Sequence, residues 1–433
     1  MQKPILAPAD ILVPAQGSDF PRWAALACDQ FTSEPAYWQE AEAFVDGAPS
    51  TLHMVLPELY LEQPGCEKRI AAVHTAMQTY AASAFAPPFT GYVYVERTLQ
   101  NGAVRQGLVG CVDLEEYSYR PGENPRIRPS EKTIVERIPP RLTIRRGAPL
   151  ETPHILMLAN DPEKLLIEPL AAEKASLPLL YDFDLMLGGG HIRGWQVNRP
   201  ALLRQIADAL ALLEQPQRFF AACGIAAGEA EPFALAVGDG NHSLATAKAY
   251  WEEIKPGLSP AQQQSHPARF CLAEVENIHS EAIEIEPIHR VVFGISTEEM
   301  LSGITRKAQA LSAKVGPYGQ PGGQSFVITQ NGNDTKLSVS QTRHPLTVGT
   351  VDHLLAALRE DFPLMKTDYV HGEASVRQLA QQEALGILLP PFEKEDLFRG
   401  VALGGVLPQK TFSMGHAREK RYYLECRSLA PQQ

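Results

Sequence analysis

The 433-residue chain has no run of about 18 apolar residues, so the sequence predicts no membrane helix. Its start, Met-Gln-Lys-Pro-Ile-Leu-Ala-Pro, lacks a long apolar stretch, which argues against a signal peptide. The six cysteines, Cys28, Cys66, Cys111, Cys223, Cys271 and Cys426, contain no C-x-x-C pair. That scatter excludes a zinc knuckle and a disulfide framework. It points to free thiols in a reducing, cytoplasmic setting, with Cys28 beside Asp29 as a candidate reactive thiol. Positive charge is in deficit: the formal net charge is -11, which argues against non-specific binding to nucleic acid or anionic lipid. Walker A, H-E-x-x-H, G-x-S-x-G and kinase signatures are all missing. So are internal repeats and low-complexity tracts. Gly188-Gly189-Gly190 opens no helix in a G-x-G-x-x-G pattern and is not a dinucleotide fingerprint.

What is present describes a globular protein. Apolar residues make up 44% and charged residues 21%, too apolar for a disordered chain. The length predicts two or three domains, read here as regions 1–150, 151–292 and 293–433. Strands are expected at Thr51–Leu56, Thr90–Arg97, Val104–Leu114, His154–Asn160, Tyr181–Leu187, His191–Val197, Arg269–Glu276 and Ile283–Ile288. A hairpin is expected around Asn331-Gly332, and later strands at Val401–Leu407 and Arg421–Cys426. Helices are expected at Cys66–Phe85, Pro200–Glu214, Glu298–Leu311, Val351–Glu360 and Glu373–Glu383. Tyr119–Pro149 reads as a proline-rich, basic connector. Hairpins and helices mix without steady βαβ alternation, so the expected class is α+β, with mixed sheets, hairpins and packed helices.

The sharpest feature is Phe233–Lys248. An apolar strand ends at Val237, the turn Gly238-Asp239-Gly240-Asn241-His242-Ser243 follows, and an alanine-rich helix begins near Leu244. Such a junction aims backbone N–H groups and a positive helix end at one spot, which suits phosphate or carboxylate. Gly238 and Gly240 permit close backbone approach. The helix end favours a neutral His242 imidazole. Asp239 can orient it, hold a magnesium ion or accept a proton. The plain alternative is a helix cap against which His242 merely packs.

Three further segments carry candidates. Arg126–Arg146 holds six Arg and one Lys against two Glu and is locally +5. It either clamps phosphates or pairs with acidic surface elsewhere. Within it, Glu131 is a candidate base, Lys132 a point charge, Thr133 a hydroxyl and Arg141 a guanidinium. Asp29, in Ala27-Cys28-Asp29-Gln30, either serves the chemistry or caps the helix expected near Pro35. Lys410 and Thr411, in the polar loop Leu407–His416, could meet an anion. Asp182 and Asp184 share one strand face and could form a metal pair.

In order and spacing these motifs resemble the bacterial and archaeal family known as domain of unknown function 1015. Asp29 matches its early Asp. Ser130-Glu131-Lys132-Thr133 and Pro140-Arg141-Leu142 match its H-E-K-T and D-R-L elements. Gly238–Leu244 matches its A-D-G-H-H-R-Y, Pro287–Arg290 its P-x-H-R, and Lys410-Thr411-Phe412 its late lysine loop. More locally, the D-G-x-H turn is similar to the nucleotide-phosphate turn of the ParB and sulfiredoxin fold, which includes the free serine kinases of archaea. That resemblance implies a nucleotide-turn core plus a C-terminal α+β portion. It also implies ATP or ADP phosphates, with magnesium, at Asp239, Gly240 and His242, and an acidic residue that activates a small hydroxyl substrate. Ser243 stands where that superfamily has Arg, so Lys132, Arg141 or Lys410 would replace the missing cation.

The leading expectation is therefore a nucleotide-dependent phosphotransferase for a small hydroxylated metabolite, free-serine-kinase-like, with self-association as a homodimer left open. The alternatives are a non-catalytic nucleotide or metabolite sensor, and a metal-dependent hydrolase using Asp29, Asp182, Asp184 or Asp239 with a histidine.

Overall fold

The computed structural model describes residues 4–152, 155–381, 384–408 and 410–430. Two compact units emerge, Met1–Ile283 with Gly415–Gln433, and Glu284–Met414. Both combine helices with sheets, and the class is α+β. Among the described residues no helix is long and apolar enough to cross a membrane.

In the first unit a mixed sheet runs through Ile127–Pro129, Leu235–Asp239, Leu156–Ala159, Phe270–Asn277, Val104–Asp113, Phe89–Thr98, His191–Val197 and Leu179–Asp184. Its central strands are buried on both faces. Tyr92 and Tyr94 enter one apolar cluster while Val93 and Val95 enter another, the period-two alternation of a strand. Regions 1–150 and 151–292 both supply strands to this sheet, and the end of region 293–433 returns to the same unit. A boundary at 150 would cut through two shared cores.

The long hairpin forms as expected, Val93 opposite Val109 through Thr98 opposite Val104. Gly102 takes φ +84° at its turn, and Asn101 Oδ1 accepts the Ala103 N–H at 2.9 Å. Helix Cys66–Ser83 buries Val73, Met77 and Tyr80, the spacing that predicted it. Helix Pro200–Leu213 buries Leu202, Ile206, Ala209 and Leu210.

Some expected elements take other forms. Thr51–His53 is a 3₁₀ turn rather than a strand. There Ser50 Oγ accepts the Leu52 N–H and Thr51 Oγ1 donates to Trp23 O, so short polar side chains take over backbone hydrogen bonding. Arg421–Cys426 is extended but held by isolated bridges, Leu26 to Arg421 and Leu12 to Cys426. The basic connector carries a short strand, Ile127–Pro129, and a helix, Ile138–Arg145. His154 and Glu383, at the ends of two expected elements, lie outside the described residues.

The second unit has its own sheet, in the order Lys314–Pro317, Asn333–Ser340, Gly323–Gln330, Ala384–Leu388, Ile285–Phe293 and Lys366–His371. Helices Thr297–Ala310 and Thr347–Asp361 pack on it through Met300, Ile304, Val351, Leu354 and Leu358. Ser296 and Glu299 close a capping box at the first of these. The Asn331-Gly332 pair has φ +50° and +77°, the double positive φ that its hairpin turn requires. Val401–Leu407, expected as a strand, instead lies over the end of helix Lys394–Gly404. Leu397, Phe398 and Val401 are buried at helical spacing, and Gly405 at φ +81° ends the helix.

Candidate functional site

Strand Leu235–Asp239 is buried through Val237 and then breaks register. Val237 faces Met157, but Asp239 faces Leu156, so Gly238 is a bulge. A bulge re-aims the side chains that follow it. Gly240 then takes φ +79° and starts helix Asn241–Ile254, earlier than the expected start near Leu244. A Cβ there would stand 3.1 Å from Ile155 Cα, so glycine serves both the left-handed backbone and the close approach. The Gly240 N–H donates to Asp239 Oδ1 at 2.9 Å. Asp239, Asn241, His242 and Ser243 are half-buried, neither sealed in the core nor fully solvated. Asn241 Oδ1 is buried without a hydrogen-bond partner.

The segment carrying Glu131 lies alongside because of one parallel strand pair. Ile127, Ala236's partner Arg128, and Pro129 run beside Leu235–Val237. The two chains leave the sheet together, and the Ile134 N–H donates to His242 Nε2 at 3.3 Å across 108 residues of sequence. A ring nitrogen that accepts is unprotonated, which places the imidazole proton on Nδ1. Ser130 is fully buried with no partner for its hydroxyl, Glu131 is half-buried, Lys132 is exposed, and Thr133 is buried.

Asp29 is half-buried, and its Oδ1 accepts from Gln30 Nε2 at 2.9 Å. The segment after it is tied to the chain's last stretch. Ala27 N–H donates to Lys420 O, and Tyr422 N–H to Ala25 O. That pairing delivers Lys420, which sequence reading passed over. Its Nζ stands 3.1 Å from Asp239 Oδ2, with both side chains more than four-fifths buried. Burial works against the Lys420 ammonium, but Asp239, Asp29 and Glu131 together outweigh it and hold its pKa above the ordinary lysine value. Four segments distant in sequence thus meet around one ammonium.

Behind this group lies a second charged layer. Arg105 Nε pairs with Glu276 Oε1 at 2.6 Å, and both side chains are almost wholly buried. Burial pushes the Glu276 carboxyl well up, against the pull of Arg105, with Glu274 and Asp239 adding to the rise. The signal for this layer was visible as charge in an apolar strand, Cys271-Leu272-Ala273-Glu274-Val275-Glu276. For Lys420 no local motif exists.

The basic connector is largely neutralised by glutamates of other segments. Arg126 pairs with Glu116 and Glu214, Arg141 with Glu58, Arg145 with Glu151 and Arg146 with Glu253. Lys410 and Thr411 belong to the second unit, where Lys410 is exposed and Thr411 is buried with its hydroxyl donating to Pro408 O at 2.6 Å. Asp182 and Asp184 clasp His191, at 2.7 Å from Nε2 and Nδ1 respectively. Among the described residues no group of three or more His, Cys, Asp or Glu is arranged to hold a metal ion. His289 Nδ1 accepts the Leu389 N–H at 3.1 Å inside the second unit, a structural bond. Cys28 lies 3.0 Å from the Tyr422 hydroxyl. Burial, then Asp29, push its thiol up to about 12, which leaves it protonated at neutral pH and contradicts the expectation of reactivity.

The model of a family described as "Protein of unknown function (DUF1015)" matches residues 12–389. No curated protein matches the chain. Among solved structures, free serine kinase in complex with AMP aligns at 8% identity and TM-score 0.37, covering 73% of this chain and 91% of that one. A free serine kinase variant in complex with ADP aligns at 8% and 0.39, covering 76% and 95%. A conserved hypothetical protein from Pyrococcus furiosus aligns at 9% and 0.35, covering 74% and 94%.

Proposed function

The chain belongs to this DUF1015 family, and we propose that it is a nucleotide-dependent phosphotransferase acting on a small hydroxylated metabolite. The observation that carries the reading is the gathering of Asp29, Glu131 and Asp239 about Lys420 at the start of helix Asn241–Ile254. The first N–H groups of that helix and the Lys420 ammonium are the donors that would meet phosphate oxygens. Asp239 holds the turn and Lys420 together, since one of its oxygens takes the Gly240 N–H and the other takes Lys420. Glu131 is then the proton acceptor. The substrate hydroxyl oxygen forms a bond to the terminal phosphorus of the nucleotide. The bond from that phosphorus to the bridging oxygen breaks, the electron pair leaves with the shortened nucleotide, and the hydroxyl proton passes to Glu131. His242, its Nε2 engaged by Ile134, presents Nδ1–H to orient a reacting oxygen. The carboxylates are hard oxygen donors that suit magnesium, but they form no three-ligand cage, so an ion here would be shared with nucleotide phosphates. Such an ion would neutralise phosphate charge.

A thermal-shift panel of nucleotides, with and without magnesium, tests the reading. A ligand at about 100 times its dissociation constant should stabilise the protein by roughly 2.7 kcal/mol. A flat response across the panel would overturn the proposal. His242→Ala should abolish nucleotide-dependent turnover and keep a cooperative unfolding transition; unchanged turnover would remove His242 from the mechanism. Ser243, in the place where the similar turns carry Arg, favours the sensor as the second reading. Tight nucleotide binding with no product over hours is its signature.

A further inference from the structure

Beside the turn opens a cavity of about 140 Å³. Ser243 and Thr246, from the first turns of helix Asn241–Ile254, and Cys28, next to Asp29, line it on the side of the gathered carboxylates. Most of the remaining wall is hydrocarbon, including Met54, Leu56, Met77, Ile144, Leu150 and Ile155. Most of the polar side chains that reach it are engaged with one another or with backbone. Arg141 pairs with Glu58, Arg145 with Glu151 at 2.6 Å, and the Tyr422 hydroxyl lies 3.0 Å from Cys28 Sγ. Thr246 Oγ1 donates to His242 O at 2.7 Å, and Thr152 Oγ1 to Glu425 O at 3.4 Å.

We infer that this cavity takes the hydrocarbon body of the phosphoryl acceptor, so the substrate is a hydroxylated metabolite bearing a short aliphatic or single-ring group. The inference rests on reading the turn as the reaction site. Size favours the occupant, because a cavity on the order of 150 Å³ matches a benzene-sized body. Chemistry favours it too. A purine edge needs hydrogen-bond partners, and most of the polar lining described above is already engaged. A hydrocarbon group that covers the apolar wall removes that surface from water, which favours binding. A substrate with no hydrocarbon body would leave it unused.

Straight-chain alkan-1-ols from ethanol to hexanol test this directly on the full-length protein without nucleotide, by methyl-detected NMR titration. Affinity should rise about fourfold per methylene until the cavity is full, with shifts at the Met54 and Met77 methyls. Ala148→Leu adds bulk from one wall and Val55→Phe from another; either variant, shown folded by circular dichroism, should abolish the rise. No dependence on chain length, no shift at those methyls, or an undiminished rise in both variants would overturn the inference. Alkanol binding without any phosphoryl transfer would sink the proposed reaction and keep the cavity's assignment. Turnover with a flat alkanol series would do the reverse.

Discussion

Lys420 Nζ lies 3.1 Å from Asp239 Oδ2, an ion pair joining the chain's final stretch to the glycine turn. Asp29 and Glu131 act on the same ammonium. Removing the cation therefore leaves three carboxylates facing one another in a partly buried place. Lys420→Met should cost about 1–3 kcal/mol in urea unfolding. Adding Asp239→Asn should return part of that loss, with a coupling of roughly 0.5–3 kcal/mol. Strict additivity of the two substitutions would show that the pair does not interact.

Gly240 is held at φ +79°, and Ile155 occupies the space where its Cβ would go. Gly240→Ala should cost about 1–2 kcal/mol for the left-handed backbone alone, and more because the added Cβ meets Ile155 Cα at 3.1 Å. The distortion falls on the first N–H groups of the helix, so nucleotide-induced stabilisation should shrink as well. An unchanged denaturation midpoint would mean that the turn relaxes freely.

Glu425 gives a pH signature that can be tested by a single substitution. It is buried and accepts from the Tyr181 hydroxyl at 2.5 Å, and burial raises its pKa to about 7. An unfolded glutamate titrates near pH 4.3. Between these values the folded chain holds a proton that the unfolded chain has lost, so stability falls as pH rises. The contribution is whole below about pH 4.3 and gone above about pH 7. Glu425→Gln should flatten this segment of the stability–pH curve and gain up to about 3 kcal/mol relative to the parent at pH 8. A slope that survives the substitution would assign the proton to another group, with Glu274 and Glu276 next in line.

Patterns that act over a few residues were legible in the sequence. The hairpin over Val93–Val109 and helix Cys66–Ser83 follow from alternation and from helical spacing. The Asn331-Gly332 turn follows from the two residues most tolerant of positive φ. Where local signals compete, reading failed. Ser50 and Thr51 captured the backbone of an expected strand, and Val401, read as part of a strand, completes a buried helical stripe.

By itself the sequence determined the α+β class, the Gly238–Ser243 turn and the resemblance that the family match bears out, because each depends on neighbouring residues or on motif order. Only the tertiary structure decided what meets at the turn. The pairing of Ile127–Pro129 with Leu235–Val237 brings Glu131 and Ile134 beside Asp239 and His242, and the pairing of Lys420 and Tyr422 with Ala25 and Ala27 brings the ammonium to Asp29. Strand partners are chosen by burial of shared faces across hundreds of residues, and a local pattern carries no record of that choice. The same long-range packing set most of the connector's arginines against glutamates of other segments, so their charge is spent on the fold, while Lys420 pairs with Asp239 at the turn.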